Sequence, residues 1–248
     1  WLLNLYGHKI YTLQGGYKSF RNWALAQFEK EYKLKILGGF TGSGKTMLLT
    51  EMKDKGKSVI DLEKLANHKG SAFGSLGENP QPSQEMFENL LAVELHKSSK
   101  ENMQDAIDNK LSSQKPASEI WLEDESRHIG VAGIPQKFWE QMRKSPVYFL
   151  DISFEERLKN IVSTYGAFEK GNLISATTRI QKRLGGLETK NAINFFNEEN
   201  LQEAFSILLH YYDKLYAKSL QNRENITTQL NKITCETVDI SNIQKLCE

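Results

Sequence analysis

The sequence predicts an α/β fold in which a mainly parallel sheet is flanked by helices. Three observations predict it. The first is Gly39-Phe40-Thr41-Gly42-Ser43-Gly44-Lys45-Thr46, which fills every fixed position of G-x-x-x-x-G-K-[ST], the Walker A pattern of a P-loop. The second is its setting. Leu34, Ile36 and Leu37 ahead of it can form a buried strand, and residues 46–53 behind it are good helix formers with no breaker until Gly56. The third is that short apolar runs at 58–62, 119–125 and 147–152, with a last one at 233–238, alternate with helical patterns, as a P-loop NTPase-like domain requires.

The spacing of the loop has a physical reason. Glycines let successive backbone N–H groups converge on a phosphate, and the following helix N-terminus adds partial positive charge. Residues 39–46 are therefore read as the phosphate cradle, with Gly39, Phe40, Thr41, Gly42, Ser43 and Gly44 supplying backbone. Lys45 reaches the terminal phosphate as a catalytic cation, and the Thr46 hydroxyl holds Mg²⁺ where that ion is used. The pattern specifies a phosphate site and leaves open which phosphate compound occupies it.

Bulk properties narrow the classes. The 248 residues suffice for one large α/β domain with a small appendage, and 39% hydrophobic with 25% charged residues is ordinary globular composition. A net charge of +1 advertises no nucleic-acid or membrane surface, so any basic patch is local. Cys235 and Cys247 form no C-x-x-C and suggest no disulfide framework, which fits a cytoplasmic setting. No run approaches a membrane span, no signal peptide opens the chain, and no redox cofactor is expected. A first residue of Trp1 in place of Met predicts a fragment or processed piece.

Residues 1–32 read as a unit: a strand at 10–13, a Gly15-Gly16 turn, then a helix from Tyr17 to Phe28 with Tyr17, Phe20, Ala24 and Phe28 on one face. So short a segment cannot fold alone. It either packs on the P-loop domain, 33–248, or closes a domain whose front lies elsewhere, and the second is preferred. The strand at 58–62 ends near Asp61, which either faces the site as a catalytic acid or caps the next helix. The loop 63–79 carries Asn67, His68 and Ser71 among small and polar residues, a setting that favours substrate contact over an ordinary surface histidine.

An amphipathic helix follows Ser83, and residues 97–116 read as a polar, lysine-rich, solvated helix or insertion. The run 119–125 ends in three acids, with Asp124 taken as the Walker B carboxylate against the alternative that the acids merely end a strand. Arg127 follows at the same mouth. Pro135 starts a helix, and Ser153-Phe154-Glu155-Glu156 is a capping box. Residues 164–186, with four glycines, read as a lid-like segment on which Arg179, Lys182 and Arg183 share one helical face. Their bland alternative is a solvated basic surface. Leu201, Phe205, Leu208, Tyr212 and Leu215 form the apolar seam of a long helix, and Cys235 reads as a small buried hydrophobe.

These residues resemble the tRNA 2-selenouridine synthase family, in which a rhodanese domain precedes a P-loop domain. The likeness is carried by Gly15-Gly16-Tyr17-Lys18, Gly38 to Thr46, Val59-Ile60-Asp61-Leu62-Glu63, Leu65 to Gly74, Trp121 to Arg127, and Arg179-Ile180 with Arg183-Leu184-Gly185-Gly186. The asparagine-histidine loop is its specific part. The resemblance implies that wobble 2-thiouridine of tRNA becomes 2-selenouridine through an S-geranyl intermediate, with geranyl diphosphate and selenophosphate as co-substrates. It also implies that residues 1–32 are the C-terminal remnant of a rhodanese-like domain. The family's catalytic cysteine would then lie before Trp1 or on a partner chain, since neither cysteine here has the right setting.

Two other functions fit the same residues. A small-molecule or nucleotide kinase would use the P-loop, Asp61, the acids at 123–125 and the cationic segment unchanged. A regulatory module would bind phosphate without turnover.

Overall fold

The computed structural model describes residues 1–108 and 119–247. Ahead of the sheet lie α1 (Leu2–Leu5) and α2 (Gly16–Gln27). Strand β1 (Leu34–Gly39) runs into the P-loop and helix α3 (Lys45–Asp54), followed by β2 (Val59–Ile60), α4 (Leu62–Ala66) and the long α5 (Gln84–Asp108). Strand β3 (Ile120–Glu123), a two-stranded hairpin of β4 (His128–Ile129) and β5 (Ala132–Gly133), α6 (Gln136–Lys144) and β6 (Val147–Asp151) come next. Then follow α7 (Phe154–Tyr165), α8 (Lys170–Arg179), α9 (Gln181–Leu184), α10 (Gly186–Asn197) and α11 (Leu201–Gln221). The chain closes with α12 (Ile226–Gln229), β7 (Leu230–Thr234), a 3₁₀ turn at Ile240–Ile243 and α13 (Gln244–Cys247).

The five-stranded sheet has the order β2-β3-β1-β6-β7, and every pairing in it is parallel. Strand β1 is central, and its neighbours are reached by crossovers on opposite sides. The crevice beyond its carboxyl end is therefore the place where an open α/β sheet accepts a ligand. Burial on both faces explains why β1, β3 and β6 read as nearly continuous apolar runs. One face packs on α2, α5 and α6 through Ala24, Phe87, Leu91 and Phe138; the other packs on α3 and the C-terminal segment through Leu48, Met52, Cys235 and Ile243. A third apolar cluster, from α7, α8, α10, α11 and Phe73, stands apart.

Several elements depart from their sequence reading. Residues 10–13 form no strand; they are exposed, and no β-ladder partner is present for them among the described residues. Helix α2 packs on α5, where the Tyr17 hydroxyl donates to Glu85 (2.6 Å) and the Arg21 guanidinium pairs with Glu88 and Asn89. The last strand is Leu230–Thr234, earlier than 233–238, because it must register with Val147 to Asp151. The segment 164–186 carries the end of α7 and all of α8 and α9, joined by turns at 166–169 and Ile180; Leu173, Ala176 and Leu184 are buried in the third cluster and Thr177 is buried with them. The polar stretch 97–116, by contrast, agrees with its helical reading as far as Asp108, and the rest of it lies outside the described residues.

Candidate functional site

The loop at the carboxyl end of β1 is held from three sides. Arg157 of α7, 3% exposed, donates to the Thr41 carbonyl (3.1 Å) and makes a two-point pair with Asp213 of α11 (2.9 and 2.8 Å). Asn160 donates to the Gly42 carbonyl (2.9 Å), and the Gly39 N–H donates to the Tyr216 hydroxyl (3.2 Å). Gly42 has φ 85°, and a Cβ there would lie 2.7 Å from the Arg157 carbonyl oxygen; α7 packs directly against the turn. Lys45 folds back on the Gly39 carbonyl (3.0 Å), with Glu123 at 3.6 Å. The buried Ser43 hydroxyl has no hydrogen-bond partner among the described residues. Phe40 turns away from the cradle into a ring cluster with Phe149 and Tyr216, beneath the Arg157 guanidinium.

The acids are arranged differently from the sequence reading. The Thr46 hydroxyl lies 3.2 Å from a Glu123 oxygen and 3.3 Å from a Glu63 oxygen. Glu63, Glu123 and Glu125 can each place an oxygen within 4.8 Å of the others, an all-oxygen donor set of the kind hard divalent cations take. Burial raises all three carboxyls, and their mutual repulsion raises Glu63 and Glu125 further, while Lys45 opposes the shift. Asp61 instead accepts the Lys64 N–H (2.8 Å) as the N-cap of α4. Asp124 faces away from Thr46. It accepts from Tyr216 (2.7 Å) and pairs with the buried Arg223, which also donates to the Met142 carbonyl (3.0 Å). Alternation along β3 decides this: consecutive side chains point to opposite sides, and Glu123 has the side of the P-loop.

From the cradle a cavity of about 1230 Å³ extends between α7, α11 and the loop after α4. His68, Ser71, Arg127, Arg179, Lys182 and Arg183 line it. The last three come from two helices broken at Ile180, yet they face one space. Arg179 also donates to the Ala72 carbonyl (3.0 Å), and the Ala72 N–H donates to Tyr212 (3.1 Å), fixing the loop. Burial, and then the nearby Arg179, lower the His68 pKa, while Glu78 opposes the shift. Asn67 is not in the cavity wall: it closes α4 with φ 49°, and its amide donates to the Pro80 carbonyl (3.0 Å).

Sequence reasoning had Glu123 within the acid run but chose Asp124 there, and it missed Glu63, Arg157, Asn160 and Tyr216. Glu63 had a signal, since it follows β2 by three residues at the site end. Arg157 and Tyr216 had none; only the packing of α7 and α11 brings them to the loop.

The family model for the tRNA 2-selenouridine synthase AAA domain matches residues 32–238. The chain belongs to the tRNA 2-selenouridine synthase family. It is similar to proteins named tRNA 2-selenouridine synthase from Sulfurovum sp. (strain NBC37-1), 33% identical over 242 residues, and Shewanella frigidimarina (strain NCIMB 400), 32% identical over 251 residues. These matches cover 85% and 88% of this chain but 61% and 63% of the relatives, so the chain spans about three fifths of their length. Among solved structures, an uncharacterized protein from Eubacterium ventriosum matches with TM-score 0.32 and 10% identity over 88% of this chain and 97% of that one. Among the described residues, no helix is long and apolar enough to cross a membrane.

Proposed function

We propose that this chain is the P-loop part of a transferase that acts on tRNA carrying 2-thiouridine at the wobble position, and that its cradle holds the diphosphate of geranyl diphosphate. The observation that carries the reading is what lines the cavity together: the P-loop turn, the cations Arg127, Arg179, Lys182 and Arg183, and the apolar side chains of Ile161, Tyr165, Phe205, Leu208 and Leu209 among polar ones.

In the first step the thiouridine sulfur forms a bond to C1 of the geranyl group. The C–O bond to diphosphate breaks, and the base gives up its N3 proton. Lys45 and the loop N–H groups stabilise charge building on the departing diphosphate. Arg183, Arg179 and Arg127 place further positive charge along the path to the tRNA backbone. Mg²⁺, held by Thr46 with Glu63 and Glu123, would add charge neutralisation on the same oxygens. The S-geranyl group is then a better leaving group at C2. Selenium from selenophosphate forms the new bond to C2, geranyl thiol departs, and water takes the phosphoryl group as phosphate. The cysteine-dependent part of selenium delivery is assigned to a rhodanese-like domain or partner polypeptide, because Cys235 is buried in the core beneath the sheet. Residues 1–32 are proposed as the remnant of that domain, and the cytoplasm as the site of action.

The test is mass spectrometry of tRNA nucleosides after incubation with the protein and geranyl diphosphate. Geranylated thiouridine is expected, and Lys45→Ala should abolish it. Phosphorylation of a small acceptor from a nucleoside triphosphate, with the tRNA unchanged, would replace this reading with a kinase.

A further inference from the structure

The cavity has a measurable direction. Tyr216 touches the P-loop through Gly39, and Phe205 lies eleven residues earlier on the same helix, roughly 16 Å back along its axis at 1.5 Å per residue. Helix α7 runs alongside: Ile161 packs on Gly42, and Tyr165 stands one turn further from the loop. At that remote end Phe205, Tyr165 and Phe73 meet as a ring triangle, with centroids 5.9, 6.0 and 6.2 Å apart. Phe196 backs Phe205 edge-on at 5.3 Å and is itself buried, so the wall is braced from behind. Phe205 lines the cavity although it is only 2% exposed.

We infer that Phe205, with Phe73 and Tyr165, is the terminal wall of the cavity and sets the length of the apolar group a diphosphate ester can carry. This rests on the geranyl-donor reading above and adds a specificity determinant to it. A rigid, braced aromatic wall rejects a longer tail sterically, because packed rings do not compress to make room. A shorter tail leaves the rings uncontacted and loses burial. Phosphate-end contacts are the same for every tail, so they set affinity without choosing length.

The experiment is calorimetric titration of the purified chain with inorganic diphosphate, geranyl diphosphate and farnesyl diphosphate, for wild type, Phe205→Leu and Phe73→Leu. Melting curves confirm that each variant folds, and the second variant opens the same wall from the loop side if the first is too disruptive. Wild type should prefer the ten-carbon over the fifteen-carbon ester, and both over inorganic diphosphate. In at least one folded variant the farnesyl-to-geranyl affinity ratio should rise by about tenfold or more, the scale of pocket-shape discrimination. An unchanged ratio in both variants, with wild type still geranylating tRNA, overturns the wall and leaves the donor reading standing. Wild type binding no tailed ester better than inorganic diphosphate overturns both.

Discussion

The Tyr216 hydroxyl stands between Gly39 and Asp124: it accepts the Gly39 N–H at 3.2 Å and donates to the Asp124 carboxylate at 2.7 Å. One phenol thus ties the first residue of the phosphate cradle to the acid at the end of the neighbouring strand, and through Asp124 to the buried Arg223. The cradle is anchored by α11 as much as by its own strand.

Breaking that anchor should be expensive. Asp124→Ala leaves the Arg223 guanidinium buried without its counter-charge, and losing one member of such a pair costs about 3–5 kcal/mol. In a chain of this size that is a fall in Tm of about 6–20 °C. Thermal melting by circular dichroism checks it; a fall under a few degrees would mean that Arg223 finds another partner.

Glu63 should make stability fall as pH rises. Burial first, then the Glu123 and Glu125 charges, lift its carboxyl from 4.5 to about 10. Between those values the folded chain holds a proton that the unfolded chain has lost, so the penalty is absent at pH 4.5 and grows with each step toward alkaline pH. Without divalent cations, Glu63→Gln should therefore melt higher than wild type, with a gain that widens as pH increases. A gain independent of pH would show that Glu63 titrates normally.

Mg²⁺ should relieve the same repulsion. At about a hundred times its dissociation constant an ion bound only by the folded chain stabilises by about 2.7 kcal/mol. Wild type should show that gain in melting curves, and Glu63→Gln with Glu123→Gln should lose most of it. Equal shifts in both would place the ion elsewhere.

Gly42→Ala should damage the cradle more than an ordinary glycine substitution. The new Cβ would meet the Arg157 carbonyl at 2.7 Å and the Ile161 side chain at 2.8 Å, at a φ of 85°. Diphosphate affinity measured by titration should fall at least as far as in Lys45→Ala, where loss of a charged contact costs about 1.5–3 kcal/mol.

tRNA affinity should depend steeply on salt through the cations of the cavity mouth. Replacing Arg183 by Ala should weaken binding across tRNAs and reduce the slope of log affinity against log salt by about 0.7–0.9. A slope unchanged in Arg183→Ala, Arg179→Ala and Arg127→Ala together would remove this surface from the tRNA path.

The chain's own order of residues determined the glycine turn after β1, the alternating parallel sheet and the capped helices, because each of these rests on local rules of turn geometry, periodicity and end-capping. The Ser153 cap and the Phe205 and Leu208 part of the α11 seam were legible that way, whereas Leu215 is exposed and the cations at 179, 182 and 183 come from two helices and not one face. Only the tertiary structure decided which acids face Thr46, that Asp61 caps a helix and Asp124 serves Arg223, and that α2 packs on α5. It also brought Arg157 and Tyr216 to a loop that lies 116 and 177 residues away in sequence. The physical reason is that strand phase and helix packing choose among neighbouring side chains, and a run such as Glu123-Asp124-Glu125 offers several equivalent carboxylates. Which of them is buried with the lysine depends on a pleat and on partners from distant helices, and no local pattern carries that information.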